Sequence, residues 1–328
     1  MKTRSTFILL AVAAVPAVLG YRGARPLALP SGDLKASLTW TRPALHGDSG
    51  QGKAPSRLQA IALMPDGVGL AVGSEKRLWR TIDGGRTWMA TVASVASPSG
   101  LALRADGLGL VGASGGRILR TTDGGVSWTE TKHEALSQLN QVAFANPTVA
   151  FAYGWNTIAR STDAGISWKR MSLPTRVYSA IAFATPTLGI AVGGAGLLLR
   201  TEDAGATWQR SDLKTDALLR DVAFLDAGIA VVVGTGGTIF RSADSGRTWT
   251  HIESYTTQHL RGVAFAGPRN GVAVGYSGTL LRTSDAGVTW TPEPSGTRAH
   301  LMGVAIAPDG RPLVVGWFDT ILSGPPSP

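Results

Sequence analysis

The run RTEDAGATW at residues 200–208 decides the architecture, because it recurs. Its sister copies are RTIDGGRTW (80–88), RTTDGGVSW (120–128), RSTDAGISW (160–168), RSADSGRTW (241–249) and RTSDAGVTW (282–290). The motif aspartates, Asp83, Asp123, Asp163, Asp203, Asp244 and Asp285, are spaced by 40, 40, 40, 41 and 41 residues. Such even spacing marks a repeat array. Each repeat divides into four short segments rich in β-branched and aromatic residues. In the third copy these are 139–144, 149–153, 157–161 and 167–171, with turn residues at Asn146-Pro147, Gly154 and Asp163-Ala164-Gly165. Four antiparallel strands within about 40 residues make one propeller blade.

The motif has a mechanical rationale. Its aspartate accepts hydrogen bonds from the backbone of its own tight turn. The glycine two residues on permits a backbone conformation that other residues resist. The tryptophan five residues after the aspartate then wedges between blades. Trp88, Trp128, Trp168, Trp208, Trp249 and Trp290 each have roughly 150–250 Å² to bury, an upper bound of about 4–6 kcal/mol. Aspartates and tryptophans are therefore read as structural.

Complete repeats begin near Arg57, Ser97, Gln138, Val177, Leu218 and His259, and a partial one near His300. The partial repeat has three strands and ends before a fourth. Ser37-Leu38-Thr39-Trp40-Thr41-Arg42 resembles the fourth-strand segments TWQR (207–210) and SWKR (167–170). The predicted fold is an all-β, seven-bladed propeller of four-stranded antiparallel blades over 37–322. The N-terminal strand 37–42 completes the last blade (300–322) and closes the ring, which removes open sheet edges.

Residues 1–20 read as a signal peptide. A short basic start precedes an apolar run from Phe7 to Gly20, too short to span a bilayer comfortably, with small residues at Val18 and Gly20 for cleavage. An uncleaved anchor is the alternative. Residues 21–36 read as a linker and 323–328 as a tail. The chain has no cysteine, which excludes disulfides, thiolate metal sites and a cysteine nucleophile. The formal charge of +9 suits an acidic protein face, an anionic lipid or a nucleic acid. It equally suits a solubilising charge spread over the surface. Export argues against a nucleic acid.

The motif is the Asp-box shared by sialidases, sortilin-type receptors and several glycosidases. The longer runs AVGGAGLLLRTEDAGATW (191–208) and AVGYSGTLLRTSDAGVTW (273–290) resemble the photosystem II stability and assembly factor family more closely. The resemblance covers 37–322. It implies a non-enzymatic lumenal or periplasmic propeller that assists assembly of a membrane protein complex, with a protein partner and no cofactor. It is specific for fold and weakly specific for function.

Propeller ligands usually meet the face formed by the D–A and B–C loops. One register of strand A starts lies near the central funnel: Gln59, Ser99, Asn140, Ser179, Arg220, Arg261 and Met302. Arg220 and Arg261, with Arg176, Lys214 and Arg298 in D–A loops, form a candidate basic sector, or an ordinary solvated loop surface. Trp155, Tyr276, Trp317 and Phe318 stand in B–C loops where sister blades carry small residues. They are candidate interface anchors, or covers for the blade edge. Arg80, Arg120, Arg160, Arg200, Arg241 and Arg282 all precede the motif aspartate by three residues. They serve either an inter-blade contact or a basic ring.

No catalytic or metal site is predicted. A sialidase needs an arginine triad and a tyrosine–glutamate pair that this chain does not align. A secreted glycan-binding protein or glycoside hydrolase remains the alternative, with Glu75, Asp216, Asp221 and Asp319 as the acids left on the upper face. Asp221 is read there as salt-bridged or solvated. His259 and His300 occupy equivalent positions without an aligned acid, a weak metal signal. The expected state is a monomer.

Overall fold

The computed structural model describes residues 40–46, 57–74, 76–92, 97–133, 136, 139–155, 157–173 and 178–326. The stretches predicted as signal peptide and linker, residues 37–39, Glu75 and Arg176 lie outside them. Seven sheets, each with an antiparallel A-to-D meander or its first three strands, follow one another along the chain. The third blade shows the plan: Leu139–Phe144 (strand A), Ala150–Gly154 (B), Thr157–Ser161 (C) and Lys169–Arg170 (D), paired in that order. Strands A and C have the predicted bounds, while strand D is shorter than predicted. Strands B are buried on both faces, as expected of the middle of a blade packed between neighbours.

The Asp-box builds each C–D turn as its chemistry requires. Asp244 accepts the backbone N–H groups of Arg247 and Thr248 and the hydroxyls of Ser242 and Thr248. These bonds, led by the Thr248 hydroxyl, hold its carboxyl down at about 2. The residue after each aspartate is left-handed as well as the one after that: Ala286 has φ 63° and Gly287 φ 79°.

The structure adds a second reason for the glycine. A Cβ on Gly205 would lie 2.3 Å from Phe151 of the preceding blade, and one on Gly246 would lie 2.6 Å from Ile190. The same holds from Gly125 to Leu70, Gly165 to Leu110 and Gly287 to Val231. The turn therefore presses on strand B of the blade before it, and the tryptophan follows it into the seam. Trp208 packs edge-on against Phe151 and Phe183, at 6.0 and 6.3 Å between centroids.

The repeated arginines cross the same seams. Arg80, Arg120, Arg160, Arg200 and Arg241 each donate from Nε to a carbonyl in the next blade's Asp-box, at 2.7–3.2 Å. Blade 7 has no Asp-box, and Arg282 departs accordingly: it pairs with Glu293 at 2.6 Å. Arg311, from a different position in blade 7, reaches the Gly84 carbonyl at 3.1 Å and completes the circuit to blade 1.

Blades 7 and 1 share one apolar core, in which Trp88, Ile61 and Trp79 meet Leu313, Val315 and Ile321. The last blade itself has three strands, Leu301–Ile306, Pro312–Gly316 and Thr320–Ser323. Beside its outer strand, Thr41 forms a single antiparallel bridge to Ser323, with hydrogen bonds of 2.9 and 2.8 Å. Trp40 packs on the core containing Val314 and Leu322 and donates from Nε1 to Glu293 at 2.8 Å. The described residues thus hold one bridge where the sequence predicts a strand. Residues Ala44–His46 then pair in parallel with strand D of blade 1, giving that sheet a fifth strand. No helix among the described residues is long and apolar enough to cross a membrane.

Candidate binding site in the central funnel

Every strand A slips its pairing by one residue near its start. The extra residues are Gln59, Ser99, Asn140, Ser179, Arg220, Arg261 and Met302, the register picked out by sequence. Such a bulge leaves one residue unpaired and re-aims its side chain. Around the ring, five of these bulge side chains reach the axis. Gln59, Ser179, Arg220, Arg261 and Met302 line an axial cavity of about 150 Å³, with Gln141, Tyr153, Trp155, Tyr178 and Asp221. Ser99 is buried and does not line it.

Arg220 and Arg261, on adjacent blades, are the charged heart of this funnel. Both Nε atoms are buried with no hydrogen-bond partner. Burial, and then the neighbouring Arg261, pulls the Arg220 guanidinium down to about 10. Burial lowers Arg261 too, partly offset by Tyr276 and Asp221. Two like charges set together with unmet donors favour an anion between them.

The acid beside them behaves differently from the sequence reading. Asp221 forms no salt bridge to a described residue. It is half-buried at the cavity wall, and its oxygens accept the backbone N–H of Val222 at 2.9 Å and of Val263, in the next blade, at 3.0 Å. Burial pushes its carboxyl up to about 7 against those hydrogen bonds and the pull of Arg261. Behind it, burial pushes the Tyr153 phenol up, and its oxygen accepts the Ile181 N–H at 3.1 Å.

The other predicted site residues separate into groups. Trp155 lines the funnel and is exposed, and Phe318 is exposed on its own loop with φ 61°. Tyr276 and Trp317 are instead half-spent on packing. Tyr276 stacks on His300 at 4.3 Å, His300 meets Trp317 edge-on at 4.5 Å, and Arg57 lies over Trp317 at 4.4 Å. The two histidines tie neighbouring blades together. His259 Nδ1 accepts the Gly236 N–H and His300 Nδ1 the Ser277 N–H, both in the preceding blade. Lys214 and Arg298 are exposed and outside the funnel lining. Arg298 borders a separate cavity of about 580 Å³ with Tyr255 and Pro294. Asp319 pairs with Arg77 at 3.5 Å, and Asp216 is exposed.

Residues 167–253 match the family described as photosynthesis system II assembly factor YCF48. That stretch takes in the fourth and fifth blades. Among solved structures, YCF48 from Cyanidioschyzon merolae is 21% identical, with a TM-score of 0.70 over 87% of this chain and 98% of that one. A structure of YCF48 bound to D1 peptide is 20% identical, with a TM-score of 0.70 over 92% of this chain and all of that one. The GH74 enzyme of Niastella koreensis is 16% identical, with a TM-score of 0.64 over 83% of this chain and 43% of that one. At these identities the likeness is one of fold. No curated protein matches the sequence.

The matched stretch includes Arg220 and Asp221 but stops short of Arg261. Sequence reasoning missed Gln141, Tyr153 and Tyr178 as lining residues. Tyr153 falls within strand B, and nothing in an apolar run announces which tyrosine points at an axis. It also missed the backbone N–H partners of Asp221, which follows the bulge at Arg220.

Proposed function

We propose that this chain is a non-enzymatic binding and scaffold protein that docks an acidic segment of a membrane or envelope protein complex and assists that complex's assembly or stability. The observation that carries the reading is the pair of buried, unpartnered Nε atoms of Arg220 and Arg261 at the axial end of the funnel. Exposed Trp155 at the same mouth supplies an aromatic anchor, and Phe318 is exposed on the corresponding loop of blade 7. The family match, and the peptide-bound state of a YCF48 structure, support a protein partner. The apolar leader supports export, to a periplasm or a thylakoid lumen, and the closed ring supports a monomer.

Glycoside hydrolysis uses two carboxylates flanking the scissile bond. Among the described residues the funnel lining offers Asp221 alone, engaged with backbone N–H groups. That favours binding over hydrolysis.

The test is partner capture from solubilised envelopes by tagged protein, comparing wild type with R220E/R261E. Loss of the captured partner at unchanged melting temperature is the expected result. Undiminished capture by the double variant would overturn the docking site.

A further inference from the structure

The funnel contains one acid that docking does not use, and its place next to the arginine pair gives it a role. We propose that Asp221 is a proton-operated regulator of this site: protonated, it lets Arg220 and Arg261 hold a carboxylate of the docked segment, and ionised, it weakens that hold. The inference rests on the docking reading above and deepens it.

Geometry comes first. Asp221 follows the bulge residue Arg220 in the chain, and the cavity is lined by Asp221, Arg220 and Arg261 together. Its two oxygens are each occupied by a backbone N–H, one from its own strand and one from blade 6. The carboxyl is thereby held still beside the arginines without forming an ion pair with either. The trio carries a net charge of two when Asp221 is neutral and one when it is ionised. A second anion entering the cavity, whose volume of about 150 Å³ suits a single carboxylate, feels that difference at low dielectric.

The groups facing Asp221 do not blur the effect. From blade 6 comes Arg261, from its own strand Arg220, and from blade 3 the Tyr153 phenol, which burial keeps protonated. Tyr276 acts electrostatically on both arginines; His300 stacks on it and His259 packs against it at a tilt. The test therefore includes variants of these two histidines. A transition near neutrality places the switch within the range that an energised compartment spans.

Coupling is reciprocal: an anion that raises the Asp221 midpoint by one unit loses about tenfold in affinity as that carboxyl ionises. The experiment measures binding of a short poly-glutamate peptide to the full chain. Titrations run on both sides of neutrality at fixed ionic strength, above the range in which glutamate itself takes up protons. Wild type should bind about tenfold more weakly on the alkaline side. D221N should keep the acid-side affinity throughout, while H259Q/H300Q should follow wild type. A wild-type affinity that does not change with pH, yet is lost in R220E, overturns the regulator and leaves the docking site standing. A pH response that survives D221N and vanishes in H259Q/H300Q overturns it in favour of the histidines. Absence of binding at any pH overturns both readings. Should D221N fold poorly, carbon-detected NMR titration of the wild-type aspartates decides the matter: the peptide must raise the Asp221 midpoint, and an unmoved midpoint refutes the coupling.

Discussion

At the scale of single residues, two conformational facts set the stability of the turns. Alanine or serine follows the motif aspartate in four boxes and is left-handed in each: Ala164, Ala204, Ser245 and Ala286. That geometry costs an L-residue roughly 1–2 kcal/mol, while glycine costs the unfolded chain about 0.5–1 kcal/mol. A286G should therefore raise stability by up to about 1 kcal/mol, read from the midpoint of denaturant unfolding. The following glycine is the opposite case. G205A would thrust a methyl to 2.3 Å from Phe151 and should cost about 2–4 kcal/mol by the same measurement.

Two kinds of carboxyl give opposite pH dependences. Asp163 and Asp244 lie at about 2 in the fold, below their ordinary 3.8. Their stabilisation is present above the ordinary value and is lost as pH falls toward 2. Asp221, raised to about 7, works the other way. Its folded form keeps a proton that the unfolded chain releases, so its contribution is full below the ordinary 3.8 and fades as pH rises through 7. D221N should consequently gain stability relative to wild type on the alkaline side of neutrality and not at acid pH. Thermal melts across pH check the sign.

At the scale of elements, the blades are joined by a repeated trio: glycine against strand B, tryptophan in the seam, and arginine to the next turn. The trio's positions were legible because the same nine residues recur, but its directions were not. Nothing in RTEDAGATW tells that Arg200 reaches forward to Ser245 while Gly205 presses back on Phe151. R241A should cost about 1–3 kcal/mol, since it leaves the Ala286 carbonyl without its charged donor. The exception at Arg282 was hidden for the same reason. Its partner Glu293 lies in the same blade, and the absence of a seventh motif copy was visible without its consequence. The A-strand starts could be aligned by eye, yet the bulge at each was invisible, because it is a property of pairing with strand B. That slip brought Asp221 to the axis beside Arg220, where backbone N–H groups rather than an arginine engage its oxygens.

At the scale of the whole molecule, blade number and order follow from the even spacing of six aspartates, and seven sheets answer it. Closure is subtler. Trp88 seals blade 1 to blade 7 through shared core residues, Arg311 completes the arginine circuit, and Thr41 bridges Ser323 at the outer edge. Deleting residues 37–42 removes Trp40 from the core of the last blade and bares the edge of Thr320–Ser323. The truncated chain should melt lower and aggregate, which light scattering during a thermal ramp would register. Equal heat stability as a monomer would show that the seam between blades 7 and 1 suffices alone.

The docking claim is a statement about which end of the ring meets the partner. Photo-crosslinking in intact cells addresses it, with the probe residue placed at Trp155 on the funnel mouth or at Val126 on the opposite, Asp-box rim. Both side chains are exposed, so accessibility does not bias the comparison. An envelope-protein adduct from position 155 and none from position 126 is the predicted outcome. An adduct from position 126 alone would place the partner on the other end and contradict the account.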